Sequence, residues 1–211
     1  MVTCSITVGK IAIIGAGQTG LLCAHGLLKA GHAVTLFSDR PPEAWLTSSR
    51  PTGTAGRFES SLRFERELGL DHWADVAPKI GGAHLTFCPA VGNRLLTMAG
   101  RLDEPGLAID LRLQSHRWTL DFVARGGSVE VGEVTIPRLD EIAAEHDLTL
   151  VATGKGGIAS LFPRDDSRCA YYGPQRTVAM ICVKGPRLGF EGIPFVPFKF
   201  NLLAPVGEAF W

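Results

Sequence analysis

The sequence has no excess of either charge. Twenty-one Lys and Arg balance twenty-one Asp and Glu among 211 residues, for a formal net charge of zero. That argues against the basic surfaces that nucleic acid and anionic membranes require. It has no C-x-x-C pair, and no His stands at metal-ligand spacing from Cys4, Cys23, Cys88, Cys169 or Cys182. No metal site is expected, and five scattered thiols fit a reduced, cytoplasmic protein. Internal repeats and low-complexity tracts are missing as well. The apolar stretch Ile11 to Ala30 is interrupted by Gly15, Gly17, Gln18, Thr19, Gly20, His25 and Gly26. It therefore reads as strand, turn and helix, and neither a signal peptide nor a membrane span is expected.

What is present is an ordinary globular balance, 45% apolar and 20% charged, in a chain long enough for one buried core and part of another. Lys10-Ile-Ala-Ile-Ile14 is a continuous β-branched run, suited to a parallel strand covered on both faces. Gly15-Ala-Gly-Gln-Thr-Gly20 follows, then a helix over Leu21 to Ala30 closed by Gly31, then a strand over Ala33 to Phe37. This is a βαβ crossover carrying G-x-G-x-x-G. In that context Gly15 permits a tight turn, Gly17 lets backbone approach a pyrophosphate, and Gly20 lets helix and strand pack. Gln18 and Thr19 belong to the glycine turn that leads into the helix, whose free N–H groups and partial positive charge favour phosphate.

Asp39, behind Ser38 at the end of the second strand, stands where a carboxylate accepts hydrogen bonds from ribose hydroxyls. Arg40 leaves an alternative open, since a cation there could hold a 2′-phosphate and favour NADP. Two further features bear on a cofactor. Leu148 to Ala152 reads as another buried strand, running into Thr153-Gly154, where glycine permits close backbone approach. Arg112, in a helix over Asp110 to Arg125, could reach the pyrophosphate or a flavin edge. His25 reads as a packed helix residue, while Lys155 and Tyr171-Tyr172 have no assigned role.

Elsewhere the spacing predicts a short helical turn at Pro42 to Trp45, a loop over Arg50 to Gly56 and a helix over Phe58 to Leu68 ended by Gly69. A hairpin is expected from Ala83 to Cys88 and Arg94 to Ala99. After it come a strand at Ser128 to Val131 and a helix at Pro137 to Glu145. Thr177 to Val183 reads as a strand opening a proline-punctuated antiparallel layer. The expected fold class is α/β: a doubly wound Rossmann-like FAD-binding domain over 1–175, with a hairpin insertion near 80–100, then the start of a β-rich domain over 176–211, which the family resemblance of Tyr172 to Arg176 implies is a substrate domain.

Lys10 to Gly20, Val34-Thr-Leu-Phe-Ser-Asp-Arg40, Asp110-Leu-Arg112, Leu148 to Lys155 and Tyr172-Gly-Pro-Gln-Arg176 together resemble the styrene and indole monooxygenases. These are the FAD-dependent oxygenase components of two-component systems. The resemblance implies FAD as cofactor and a separate NADH-dependent flavin reductase as partner. It further implies O₂ activation through a flavin C4a-hydroperoxide and oxygen transfer to a small aromatic substrate, styrene- or indole-like. That chemistry belongs to the cofactor, so no catalytic side chain is assigned. A homodimer stays open. Family members continue well beyond this length, with a Gly-Asp segment for the flavin that is not found after Arg176. The chain is thus expected to be an N-terminal part. Two other readings remain: an NAD(P)-dependent oxidoreductase, or a nucleotide-binding domain without activity of its own.

Overall fold

A computed structural model describes residues 8–50, 54–154, 158, 161–173, 176–181, 192–204 and 206–210. In chain order its elements are β1 (Lys10–Ile14), α1 (Gln18–Lys29), β2 (Ala33–Ser38), α2 (Ala44–Thr47), β3 (Thr54–Arg57), α3 (Glu59–Leu68), β4 (Lys79–Cys88), β5 (Leu96–Asp110), α4 (Leu111–Ala124), β6 (Ser128–Val131), α5 (Ile136–Glu145), β7 (Leu148–Val151), β8 (Pro197–Leu203) and β9 (Gly207–Phe210). They fall into two compact units, one of residues 1–53 and 110–180, the other of 54–109 and 181–211.

The first unit is built on a parallel sheet of order β6-β2-β1-β7. β1 is central, with Ile11 opposite Val34 on one side and Leu148 on the other. A central parallel strand is covered on both faces, which is why its sequence is apolar without alternation. Ala12 and Ile14 join Phe37, Ile142 of α5 and Ile158 in one core cluster. Ile11 and Ile13 project to the opposite face by the two-residue period, and α1 packs on β1, β2 and α4. There Leu21, Ala24, Trp118 and Phe122 are buried. Helices on both faces of a parallel sheet make this the doubly wound α/β fold expected.

One expectation fails here. The apolar run Leu148 to Ala152 predicts a buried strand, but among the described residues β7 is the sheet's edge, and Leu148 and Val151 are 47% and 37% exposed. Apolar runs mark strands without saying how many neighbours they have.

The second unit is a five-stranded sheet of order β3-β5-β4-β8-β9. β4 and β5 form the expected hairpin, with a register shift between Ile80 and Gly82. Its second strand reaches Asp110, well beyond the Ala99 anticipated, because pairing with β4 continues through Gly100 and Arg101 and resumes at Gly106 and Leu107. The hairpin shares a sheet with β8, which runs parallel to β4, and β9, antiparallel to β8. The Arg50 to Gly56 loop is corrected likewise: Thr54–Arg57 is a strand beside β5. Strand formation depends on a neighbour more than on intrinsic preference. The same reason applies to the strand expected at Thr177 to Val183. Residues 177–181 are irregular, and 182 and 183 lie outside the described residues.

α3 places Leu62 against Leu107 and Ile109, with Trp73 and Ala77 packed alongside. Gly69 ends it in the left-handed conformation at φ 63°. On the same helix Glu65 forms an ion pair with Arg57 of β3, each side chain only 1% exposed. Burial pushes the Glu65 carboxyl up, with the Arg57 guanidinium opposing it. Among the described residues no helix is long and apolar enough to cross a membrane.

Candidate cofactor-binding site

Strand β1 runs out into Gly15, whose φ of 115° only glycine adopts without strain. A Cβ there would also lie 2.6 Å from the Ala152 carbonyl oxygen. The Gly15 N–H donates to Phe37 O at 2.8 Å, and Ala152 N–H donates to Ile14 O at 2.8 Å. These bonds bring three strand ends together, so the first glycine turn lies beside Ala152 and Thr153. A Cβ on Gly20 would overlap the Gly15 carbonyl and touch Ala152 Cβ at 3.5 Å, so Gly20 is required for packing.

Gly17 is different. Nothing lies within 4 Å of a Cβ built on it. It is the extended N-cap of α1 and, as glycine, supplies no side-chain cap to the helix. Gly15 and Gly20 are fixed by neighbours within the protein, whereas Gly17 borders open space at a helix N-terminus. That is the shape a pyrophosphate needs: room for backbone-close approach, and a partial positive charge to meet it. The residues present fit a dinucleotide.

The end of β2, where the sequence suggests a ribose, is more crowded than expected. The Ser38 hydroxyl donates to Arg40 O at 2.7 Å and accepts from Arg40 N–H at 3.3 Å, closing a tight turn. Arg40 Nε and Nη2 donate to the two carboxylate oxygens of Asp39, at 2.9 and 2.6 Å. Arg40 Nη1 donates to Ser49 Oγ at 2.7 Å, and the guanidinium carbon stands 4.8 Å from the Trp45 ring centre. Hydrogen bonding from Arg40 is the chief cause holding the Asp39 carboxyl below its usual range. A carboxylate has about four lone-pair sites, so Asp39 can still accept from ribose hydroxyls.

Arg112 lies in the first turn of α4. Asp110 caps that helix by accepting from Arg112 N–H at 2.9 Å, and takes its Nε and Nη2 at 3.1 and 2.6 Å. Arg112, foremost through these hydrogen bonds, lowers the Asp110 pKa. Arg112 Nη1 also donates to the Ser49 carbonyl at 3.3 Å. Ser49 therefore meets both arginines, one through its hydroxyl and one through its backbone. Sequence reasoning singled out Arg40 and Arg112 and missed Ser49, Trp45 and the role of Asp110. Only Asp110 left a readable signal, an N-cap residue before an apolar helix.

Gly154 keeps a left-handed φ of 63° with open space around a built Cβ. His25 is packed as expected: its Nε2 meets Trp118 O at 2.9 Å, and its ring stands edge-on to Phe122. Tyr171 and Tyr172 are exposed. Lys155 lies outside the described residues.

Known proteins bear on this geometry. The FAD dependent oxidoreductase family matches residues 10–154, and the styrene monooxygenase A putative substrate binding domain matches residues 154–211. The chain is 26% identical to styrene monooxygenase StyA of Pseudomonas fluorescens over 176 residues, 83% of this chain and 41% of the relative. It is 27% identical over 150 residues, 69% of this chain and 36% of the relative, to the NAD-dependent dihydropyrimidine dehydrogenase subunit PreT of Salmonella typhimurium. Among solved structures, the flavin-dependent brominase Bmp2 aligns with 61% of this chain and 30% of its own, at a TM-score of 0.47 and 20% identity. The chain thus spans well under half the length of these relatives. With the family matched from the first strand through the second glycine turn, the chain belongs to the FAD-dependent oxidoreductases, and its cofactor is FAD.

Proposed function

We propose that this protein is the FAD-binding portion of a monooxygenase that oxygenates a small aromatic substrate, styrene- or indole-like, with reduced FAD delivered by a separate NADH-dependent flavin reductase. The observation that carries the cofactor half of this reading is the open cradle at Gly17. The match of residues 154–211 to the styrene monooxygenase substrate binding domain supports the substrate half. When bound, FAD supplies the oxygen chemistry. The chain's own work is to bind and orient. Gly15, Gly17, Gln18, Thr19 and Gly20 take the pyrophosphate, Ser38, Asp39 and Arg40 frame the ribose, and Arg112, Thr153 and Gly154 border the rest. The same reading assigns residues 1–175 to the cofactor domain and 176–211 to the substrate domain, in a cytoplasmic protein.

Titration with FAD, followed by flavin fluorescence, is the direct test. Saturable binding is expected, and its absence in the folded protein removes the cofactor assignment from these residues. Chemically reduced FAD, O₂ and styrene added together should then yield styrene oxide. Competition by NADH or NADPH for the FAD site would favour the nicotinamide alternative, to which the relative named NAD-dependent lends some weight.

A further inference from the structure

The Arg40 guanidinium is held from three directions at once. Asp39 engages Nε and Nη2 side-on, Ser49 Oγ engages Nη1, and Trp45 lies against its face. Ser49 is itself anchored, because its hydroxyl also donates to Ala44 O at 3.1 Å. The segment from Arg40 to Ser49 is therefore a closed ring, with α2 and Trp45 inside it.

An arginine at the end of the second strand of a βαβ unit is the residue that accommodates a 2′-phosphate in NADP-binding proteins. To do so it must present a fork of N–H groups and uncompensated charge. Here one fork is taken by a carboxylate, a third nitrogen by a serine, and the charge is matched by Asp39. Asp39 remains ionised under that influence, so a 2′-phosphate dianion would face a like charge on arrival.

We propose that Ser49 and Trp45 are specificity residues: with Asp39 they lock the Arg40 guanidinium, so that the βαβ unit takes adenosine with a free 2′-hydroxyl and rejects adenosine bearing a 2′-phosphate. The inference rests on residues 10–40 being the dinucleotide cradle. It adds that the exclusion lies in the ring from Arg40 to Ser49 as well as in the ribose-facing acid. Ser49 and Trp45 act through Arg40 and are positioning residues.

Isothermal titration of the 211-residue chain with 5′-AMP and with adenosine 2′,5′-bisphosphate, which differ only in the 2′-phosphate, tests both layers. The unmodified protein should prefer 5′-AMP by at least about tenfold, the scale of one charge-assisted hydrogen bond. In Ser49→Ala combined with Trp45→Leu the ratio should fall several-fold, because Arg40 can swing to the 2′ position. Ser49→Thr, which keeps the hydroxyl, should retain the original ratio. A merely structural role would weaken both ligands together and leave the ratio fixed, and that result overturns the inference. So does equal binding of the two ligands by the unmodified protein. If the unmodified, folded protein binds neither ligand, the cradle assignment fails and takes the inference with it. The far-ultraviolet circular dichroism of each variant separates that outcome from misfolding.

Discussion

Gly17 and Gly20 belong to one hexapeptide and differ in what holds them. Gly20 is enclosed by the Gly15 carbonyl and Ala152, while Gly17 touches nothing within 4 Å of a built Cβ. A side chain at 17 therefore costs the fold little, and its branches fill the open space that the proposed function gives to phosphate. Gly17→Val should weaken FAD binding by more than about a hundredfold, or ~3 kcal/mol, with the melting temperature nearly unchanged. FAD titration beside a thermal melt would check this, and a folded variant with unaltered affinity would remove the role of that glycine. Gly20→Ala should instead lower the melting temperature, because its Cβ must displace backbone. The hexapeptide was readable in the sequence because each glycine answers a local demand. Ser49 was not, because its role depends on Arg40 and Arg112, nine residues before it and 63 after it.

Among the elements, α4 owes its start to Asp110, which caps the helix and holds Arg112. Asp110→Ala should cost about 1–2 kcal/mol of stability at neutral pH through the lost cap. The folded-state pKa of Asp110 is lowered, chiefly by the Arg112 hydrogen bond. Its contribution is thus fully present above the unfolded carboxylate value of about 3.9 and is lost as pH falls through the lower folded value. Denaturant titrations at pH 7 and pH 3 should show the difference between the parent and Asp110→Ala narrowing in acid. Helices announced themselves well: α4 and α5 fall within a residue or so of their expected bounds, since caps and Pro137 are local signals. Strands were legible where an apolar run marks them, as at β6 and β7, whose partners β2 and β1 lie far along the chain; others were not. β3 hides among turn formers, and β8 pairs with β4 across more than a hundred residues, a partnership that no local pattern encodes.

At the scale of the molecule, each unit has its own core. The second contains an ion pair of a kind whose dismantling is more costly than its presence is favourable. Removing one partner strands a buried charge. Arg57→Ala or Glu65→Ala should each destabilise by about 3–5 kcal/mol, while Arg57→Met with Glu65→Leu should recover most of that loss. Equilibrium denaturation of the two single variants and the double variant decides it, and a double variant as unstable as the singles would contradict this account. β1 gains β2 within about one crossover, yet its other neighbour, β7, lies 137 positions further along in the register of Ile11 with Leu148. At a translation rate of about 5–20 residues per second, the nascent chain waits on the order of ten seconds with one edge of its central strand unpaired. A ribosome-bound chain arrested in that interval should be a ready client for chaperones that recognise apolar strand edges.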